Sequence, residues 1–138
     1  MASIRTAYSF GFGLLRSDEI MDRARGNYTH LALTDLGHTA ALLPLMERAQ
    51  KSGIQIVPGV EIRNGHKLLY SVLALNNDAL TKLHVWLSEH EQTGAPFPGE
   101  FPLESTNAEF ACIYPWDAVD IVPAGAWLGV RPWELWAA

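Results

Sequence analysis

The fold is decided by the stretch HLALTD at residues 30–35, an apolar run of strand length that ends in a carboxylate. A helix is predicted before it, from an N-cap at Ser17 to a stop at Gly26, and another after it, over residues 40–51. A further strand follows at residues 54–57. Because strand and helix alternate in this way, the sequence predicts an α/β fold with a mainly parallel sheet flanked by helices.

Turn signals divide the rest of the chain. Pro58-Gly59 is expected to close the strand at residues 54–57, and Asn64-Gly65 is a strong hairpin signal. Asn77 is expected to cap a third helix, and residues 94–102, rich in proline and glycine, are expected to form a loop. The remaining strands are predicted at residues 3–9, 66–75, 110–114 and 126–130.

Composition places the chain among small globular domains. Its 138 residues fit one domain but are short for a full eight-unit β/α barrel. Apolar residues make up 49% and charged residues 18%, which is typical of a cytosolic domain. The ten lysines and arginines are scattered and the net charge is −5, which argues against a dominant nucleic-acid surface.

Cysteine content and hydropathy narrow the class further. Cys112 stands alone, which excludes a disulfide framework and a thiolate zinc cluster, and its apolar neighbours indicate a buried strand position. The N-terminus has no apolar signal-peptide segment, and no apolar run reaches the roughly 20 residues that a membrane span needs. The sequence therefore predicts a cytoplasmic protein without membrane association.

Polar side chains stand where three predicted strands end, at Tyr8-Ser9, at Thr34-Asp35 and at Glu61. Ligands of α/β folds gather at the carboxyl ends of the strands, so these positions are the first candidates for a site. Asp35 and Glu61 are carboxylates of the kind that divalent metals bind. The alternatives are structural, with Asp35 as a turn carboxylate ahead of Gly37 and Glu61 as an exposed edge residue.

Histidines would complete a zinc or manganese site. His38, three residues after Asp35, and His66, next to the Asn64-Gly65 turn, are the weaker metal candidates. His84 and His90 are assigned to the surface or to packing, and His30 begins a strand at the end opposite Asp35, away from the candidate site.

Tryptophan is concentrated in the C-terminal quarter, at Trp116, Trp127, Trp133 and Trp136. These side chains form either a satellite core or an apolar surface that contacts another part of a longer chain. The ending WELWAA has no polar tail. The prediction is a single domain over residues 1–138 that forms the N-terminal part of a longer protein.

Several segments together resemble a known family. They are Tyr8-Ser9 with Gly13-Leu14, ALTD at 32–35, Gly53-Ile54 leading to PGVE at 58–61, LALN at 73–76 and, more loosely, LGVRP at 128–132. This pattern resembles the N-terminal PHP (polymerase and histidinol phosphatase) region of bacterial DNA polymerase III alpha subunits, mainly over residues 3–90. The resemblance implies a partial PHP-type β/α barrel.

The departures from the family pattern fall on its metal ligands. The two opening histidines of the family correspond to Ser3 and Arg5, and the histidine after the Thr-Asp pair corresponds to Leu36. Of the early ligands only Asp35 and Glu61 remain. The resemblance therefore implies a degenerate site with no cofactor expected, incomplete for manganese or zinc, in which Arg5 pairs with carboxylates and substitutes for the metal.

Three functions follow from these observations. The first is a region of a replicative DNA-directed DNA polymerase that has a structural or interaction role and is inactive when it is separated from the rest of the enzyme. Its partners would be the remainder of that chain or replisome subunits, and it would contact DNA only indirectly. The second is a stand-alone PHP phosphoesterase that uses a bound metal. The third is a small binding module that forms a homo-oligomer and completes its barrel between chains.

Overall fold

A computed structural model of the chain describes residues 2–11, 13–103, 109–117 and 122–130. Its strands and helices follow in the order β1 (Ala2–Ile4), α1 (Ser17–Ala24), β2 (His30–Leu36), α2 (Leu42–Gln50), β3 (Gln55–Asn64), β4 (Lys67–Ala74), α3 (Asn77–Thr93), β5 (Phe110–Pro115) and β6 (Trp127–Gly129). None of the helices in these ranges is long and apolar enough to cross a membrane.

The six strands form one sheet in sequence order, β1 to β6. The pairs β1–β2, β2–β3 and β5–β6 are parallel, whereas β3–β4 and β4–β5 are antiparallel. The α/β class and the partial barrel are therefore confirmed, with the parallel part concentrated in the first three strands. The Asn64-Gly65 hairpin joins β3 to β4 as predicted.

The helices pack on one face of the sheet, which we call the outer face. Under α1 and α2 lies a cluster that includes Leu31, Leu33 and Leu45. Under α3 lies a second cluster, in which Leu83 and Trp86 pack against strand residues such as Val72. Along each strand, residues of these clusters alternate with residues whose side chains point to the opposite face, which we call the inner face. The inner face is the concave side of a half-barrel.

Four sequence expectations need correction at the level of single residues. The first strand, predicted over residues 3–9, ends at Ile4, and Tyr8 and Ser9 lie in the turn region after it. The strand predicted at residues 54–57 does not close at Pro58-Gly59; β3 continues to Asn64, because Gly59 packs against both neighbouring strands. Asn76, not Asn77, caps α3, and its side chain accepts a hydrogen bond from the Ala79 N–H at 2.8 Å. Helix α1 is capped at Arg16, whose N–H donates to the Glu19 carboxylate at 2.8 Å.

Some of the predictions fall on residues that the structure does not describe: Trp133, Trp136 and the Arg131-Pro132 pair.

Gly59 lies in β3 between β2 and β4, where the neighbouring strands leave no space for a side chain. A Cβ at this position would lie 2.5 Å from the Val72 carbonyl oxygen and 2.6 Å from a methyl of Leu73. We expect Gly59→Ala to lower the free energy of unfolding by about 2–3 kcal/mol, because a backbone oxygen of a paired strand cannot move aside. Chemical denaturation measures the change. Gly99→Ala is the control, since nothing lies within 4 Å of its added methyl; equal effects in the two variants would contradict this account.

Cys112 lies in the outer core, and burial raises the pKa of its thiol from 9.0 to about 11. Only the thiolate reacts with alkylating and disulfide reagents. We expect labelling at pH 7 to be slower in the native protein than in the denatured chain by roughly a hundredfold, a factor of ten for each pKa unit. A reaction that denaturant does not accelerate would show that the thiol is accessible.

The same burial predicts how stability depends on alkaline pH. Burial also raises the pKa of the neighbouring Tyr114 hydroxyl to about 12. The folded chain therefore holds both protons more tightly than the unfolded chain does. Stability should be complete below pH 9 and should fall as the pH rises through about 11, which thermal unfolding between pH 7 and 11 tests. In Cys112→Ala the decline should begin at higher pH, where the tyrosines titrate.

Candidate functional site

Asp35 and Glu61 lie at the same end of two adjacent parallel strands. Leu36 of β2 is directly opposite Glu61 of β3, and Asp35 is opposite Val60. Residues opposite each other in a sheet share a face, and consecutive residues alternate between faces. Glu61 therefore points to the inner face with Leu36, whereas Asp35 points to the outer face with Val60. The two carboxylates share an edge of the sheet and are separated by its thickness.

On the inner face, Glu61 is held between two arginines. Arg5 Nε donates to Glu61 Oε2 at 2.7 Å, and Arg5 Nη2 also pairs with this oxygen. Arg63 Nε donates to the other carboxylate oxygen, Oε1, at 2.5 Å. Glu61 is 2% exposed, so the contacts take place away from bulk water, where charge-assisted hydrogen bonds are strongest. We refer to Arg5, Glu61 and Arg63 as the inner-face triad.

The triad ties together parts of the chain that are distant in sequence. Arg5 follows β1, Glu61 lies in β3, and Arg63 Nη1 donates to the His66 carbonyl in the β3–β4 hairpin at 2.7 Å. Beside it, the hydroxyls of Ser3 and Thr34 are hydrogen-bonded at 2.7 Å. Two guanidinium groups face one carboxylate, so the triad carries a net charge of one positive unit.

On the outer face, Asp35 is fully buried and accepts three hydrogen bonds. The Thr6 N–H and the Thr6 hydroxyl donate to it at 2.6 and 2.7 Å, and the Ser9 hydroxyl donates at 2.7 Å. Ser9 Oγ in turn accepts the Leu36 N–H at 2.9 Å. This network fastens the turn after β1 to the end of β2. Its donors use the carboxylate oxygens that a metal ion would need.

The two histidine candidates lie elsewhere. His38 is in the loop after β2, where its Nε2 is 3.2 Å from the Tyr8 carbonyl oxygen. His66 is exposed in the β3–β4 hairpin, and its backbone carbonyl accepts a hydrogen bond from Arg63 Nη1. The structure thus brings Arg5 and Glu61 together and places Asp35, His38 and His66 apart from them.

The side chains at the inner-face positions that resemble family ligands do not fit a divalent metal. Ser3 and Leu36 are on that face by strand register, and Arg5 and Glu61 by their direct contact. They offer a weakly coordinating hydroxyl, an alkyl group, a permanent cation and one carboxylate that is already paired. Across the described ranges, no group of three or more His, Cys, Asp or Glu side chains is arranged to hold a metal ion.

Two residues of this region, Arg63 and Thr6, were missed in the sequence; Ser9 was a strand-end candidate, but not as a partner of Asp35. Arg63 could have been found, since positions 61 and 63 of a continuous strand share a face and the pair Glu61-x-Arg63 then forms naturally. The error was to end the strand at Pro58-Gly59. Thr6 and Ser9 as partners of Asp35 carry no local signal, because the turn that places them depends on packing between β1 and β2.

Comparison with known proteins gives a likeness to solved structures. No protein-family model and no curated protein matches the chain. Among solved structures, an amidohydrolase from Chromobacterium violaceum, with bound sulfate and no metal, is similar with a TM-score of 0.50 and 25% identity. The alignment covers 67% of this chain and 33% of the amidohydrolase, so the chain spans about a third of that protein's length. The likeness supports a barrel-type α/β fold of a kind found in a hydrolase.

Proposed function

We propose that this chain is a PHP-like region of a bacterial replicative DNA polymerase III alpha subunit, with a structural or interaction role. In it, an ion-pair cluster stands in place of a metal site. The observation that carries the proposal is the inner-face triad, in which Arg5 stands at a position that resembles a metal-ligand histidine and binds the one carboxylate ligand that remains, Glu61.

The triad can replace a bound cation in two structural roles. A metal ion at such an edge neutralises carboxylates and holds several strand ends together. Arg5 does both, since it neutralises Glu61 and joins the end of β1 to β3 across β2. Arg63 adds a second cation from the same strand and extends the link to the hairpin. The arrangement keeps the strand ends in register without an exchangeable ion.

The same residues argue against the phosphoesterase alternative. Metal-assisted hydrolysis needs a cation held by several ligands with one position left for water. Here two permanent cations surround Glu61, and a divalent ion beside them would be repelled. Asp35, the second carboxylate, faces the other side of the sheet and is used by Thr6 and Ser9.

An interaction role is supported by the rest of the inner face. Towards β4, β5 and β6 this face forms an open, mainly apolar groove of about 760 Å³, lined by residues that include Leu73, Ile113, Trp127 and Leu128. Trp127 is 67% exposed. Half-barrel sheets need their concave face covered, and we assign the cover to the remainder of the polymerase chain. Assembly with a second copy of this chain is the alternative.

A metal titration tests the degenerate-site part of the proposal. The purified chain is titrated with Mn²⁺ and with Zn²⁺ by calorimetry, and hydrolysis of an aryl phosphate is measured in the same solutions. We expect neither stoichiometric binding nor turnover above the buffer rate. Metal-dependent turnover that is lost in Glu61→Gln would replace the proposal with the phosphoesterase. Glu109→Gln, a change in an exposed ion pair, controls for general effects of removing an acid.

The polymerase assignment has its own test. The reading frame that encodes this chain is sequenced beyond the codon for residue 138. We expect it to continue for many hundreds of residues, as a polymerase requires. A stop codon directly after residue 138 would contradict the assignment and favour the homo-oligomer, which sedimentation of the purified chain would then reveal.

A further inference from the structure

A segment rich in proline and phenylalanine lies against α3 and the strands β3, β4 and β5. We call residues 95–103, with the sequence APFPGEFPL, the strap. It contains no helix or strand, and no backbone-to-backbone hydrogen bond joins it to the strands that the structure describes. The strap is held to the sheet instead by side chains of the neighbouring elements.

Asn64, the last residue of β3, binds both main-chain groups of Phe97 in the strap. The Phe97 N–H donates to Asn64 Oδ1 at 2.9 Å, and Asn64 Nδ2 donates to the Phe97 carbonyl oxygen at 2.8 Å. The Phe97 ring stacks on His90 of α3, with ring centroids 4.7 Å apart and planes inclined by 13°, and its centroid is 5.2 Å from that of Trp86. Phe97 is therefore recognised through its backbone and its side chain together.

A second set of contacts lies four residues further along the strap. The Phe101 N–H donates to the Tyr114 hydroxyl oxygen at 3.0 Å, and the Tyr70 hydroxyl donates to the Pro98 carbonyl oxygen at 3.0 Å. The Phe101 ring meets the Trp86 ring edge-on, with centroids 5.3 Å apart. The surface beneath the strap, which we call the strap groove, is formed by side chains of three strands and one helix: Asn64, Tyr70, Trp86, His90 and Tyr114.

The strap groove makes the contacts that recognise an extended peptide. Its four hydrogen bonds all go to main-chain groups, which every peptide offers, and selectivity comes from two aromatic contacts four residues apart. Prolines at 96, 98 and 102 fix φ at about −65°, so a segment of this kind loses little conformational entropy when it binds. None of these contacts depends on the covalent link between the strap and the groove.

We infer that the strap groove is a binding site for an extended, proline-containing peptide with two aromatic side chains four residues apart, and that the strap occupies it as an autoinhibitory segment. The strap opens without unfolding of the sheet, because no backbone ladder joins it to the described strands. Since the strap is tethered, it competes at a high effective concentration, and a free peptide binds the intact chain only weakly. The inference does not depend on the polymerase assignment.

Hydrogen exchange of the intact chain tests the opening step. The Phe97 and Phe101 amides are hydrogen-bonded to side chains, whereas the Val72 amide belongs to β4, which is paired on both sides. We expect the two strap amides to exchange at least about tenfold faster than the Val72 amide at neutral pH. Strap amides that exchange only at the rate of the Val72 amide would show that the strap opens only when the sheet unfolds, and the inference would be overturned.

A synthetic peptide tests the binding step. The peptide APFPGEFPL, with blocked ends, is titrated into the ¹⁵N-labelled chain and into Phe97→Ala, which loses the aromatic contacts with His90 and Trp86. We expect saturable shifts of the backbone amide signals around the groove, with an affinity for Phe97→Ala at least about tenfold higher than for the parent, because the tethered competitor is weakened. If Phe97→Ala does not fold, Phe97→Leu takes its place, since it keeps apolar volume but not the stacked ring.

Matched controls separate this site from general stickiness of an aromatic peptide. A peptide with alanine in place of both phenylalanines should not bind, and Asn64→Ala added to Phe97→Ala should remove binding of the original peptide. Phe10→Ala, which deletes a ring that is 90% exposed, should bind the peptide as the parent does. A folded strap variant that does not bind the peptide, binds it no more tightly than the parent, or binds the alanine peptide equally well would contradict the inference.

Discussion

Glu61→Ala is expected to lower the free energy of unfolding by about 3 kcal/mol, near the lower end of the range for breaking a buried ion pair. The substitution leaves the guanidinium groups of Arg5 and Arg63 next to each other without the acid between them. Arg63 has a side chain only 12% exposed, so its charge would stay largely buried. Arg5 is more exposed, and water offsets part of its loss, which is why the upper end of the range is not expected.

Chemical denaturation at neutral pH measures this effect. Glu61→Gln keeps a hydrogen-bond acceptor and the shape of the side chain, so it should lose less stability than Glu61→Ala. The control is Glu109→Ala, which removes the partner of Lys82 from an exposed pair 2.7 Å apart and should cost less than about 1 kcal/mol. A Glu61→Ala variant no less stable than Glu109→Ala would mean that the triad does not hold the strands together.

The order of the elements was predictable because each signal in it is local. The apolar run at residues 30–35, the helical spacing after it and the Asn64-Gly65 turn each define one element from neighbouring residues. The hairpin was confirmed for this reason. Boundaries were less predictable, since a side chain one residue away can cap a helix equally well, as Asn76 does instead of Asn77.

The sequence predicted which edge of the sheet carries the site, but not which face of the sheet each carboxylate is on. Strand ends identified the edge of the sheet, and the expected pairing of Arg5 with a carboxylate is present in the contact with Glu61. Asp35 faces away from Glu61 because β2 pairs with β3 in a register that places Leu36, and not Asp35, opposite Glu61. A register shifted by one residue would move each side chain of the strand to the other face. Register depends on contacts between strands, and no local pattern in the sequence specifies it.

The two strand-end carboxylates therefore do different work. Glu61 is paired with charged partners on the inner face, so its role is to join the end of β1 to β3. Asp35 is balanced by neutral donors under the helices, so its role is to fix the backbone after β1. Because Arg5 precedes Thr6, the network around Asp35 also positions the arginine of the triad. A substitution that breaks the hydrogen bonds of Asp35 should consequently move Arg5 on the inner face.

The largest effect is expected from Asp35→Ala, a loss of about 4 kcal/mol of unfolding free energy or more. Its carboxylate accepts three hydrogen bonds, and both donor residues are buried, with Thr6 0% and Ser9 1% exposed. Each buried donor that loses its acceptor costs about 1–3 kcal/mol, and the Thr6 N–H belongs to the backbone and cannot turn away. The cavity left by the side chain adds to the loss.

Conservative variants divide this effect into its parts. Asp35→Asn keeps one acceptor oxygen, which can serve the Thr6 N–H and the Ser9 hydroxyl, while the Thr6 hydroxyl must rotate to accept from the new amide. It should therefore lose about half as much stability as Asp35→Ala. Thr6→Val removes a single hydroxyl donor and should cost about 1–2 kcal/mol. Asp22→Ala, at an exposed position of α1, should change stability by less than about 0.5 kcal/mol.

The measurement is chemical denaturation of all four variants, together with the arginine Nε–H spectrum of those that fold. If Asp35 fixes the turn that carries Arg5, then Asp35→Asn should shift the Arg5 signal although the substituted side chain lies on the other face. The Arg63 signal should move less, because Arg63 belongs to β3 and not to that turn. A destabilised Asp35→Asn with an unchanged Arg5 signal would show that the two faces are independent and that the outer network serves the core alone.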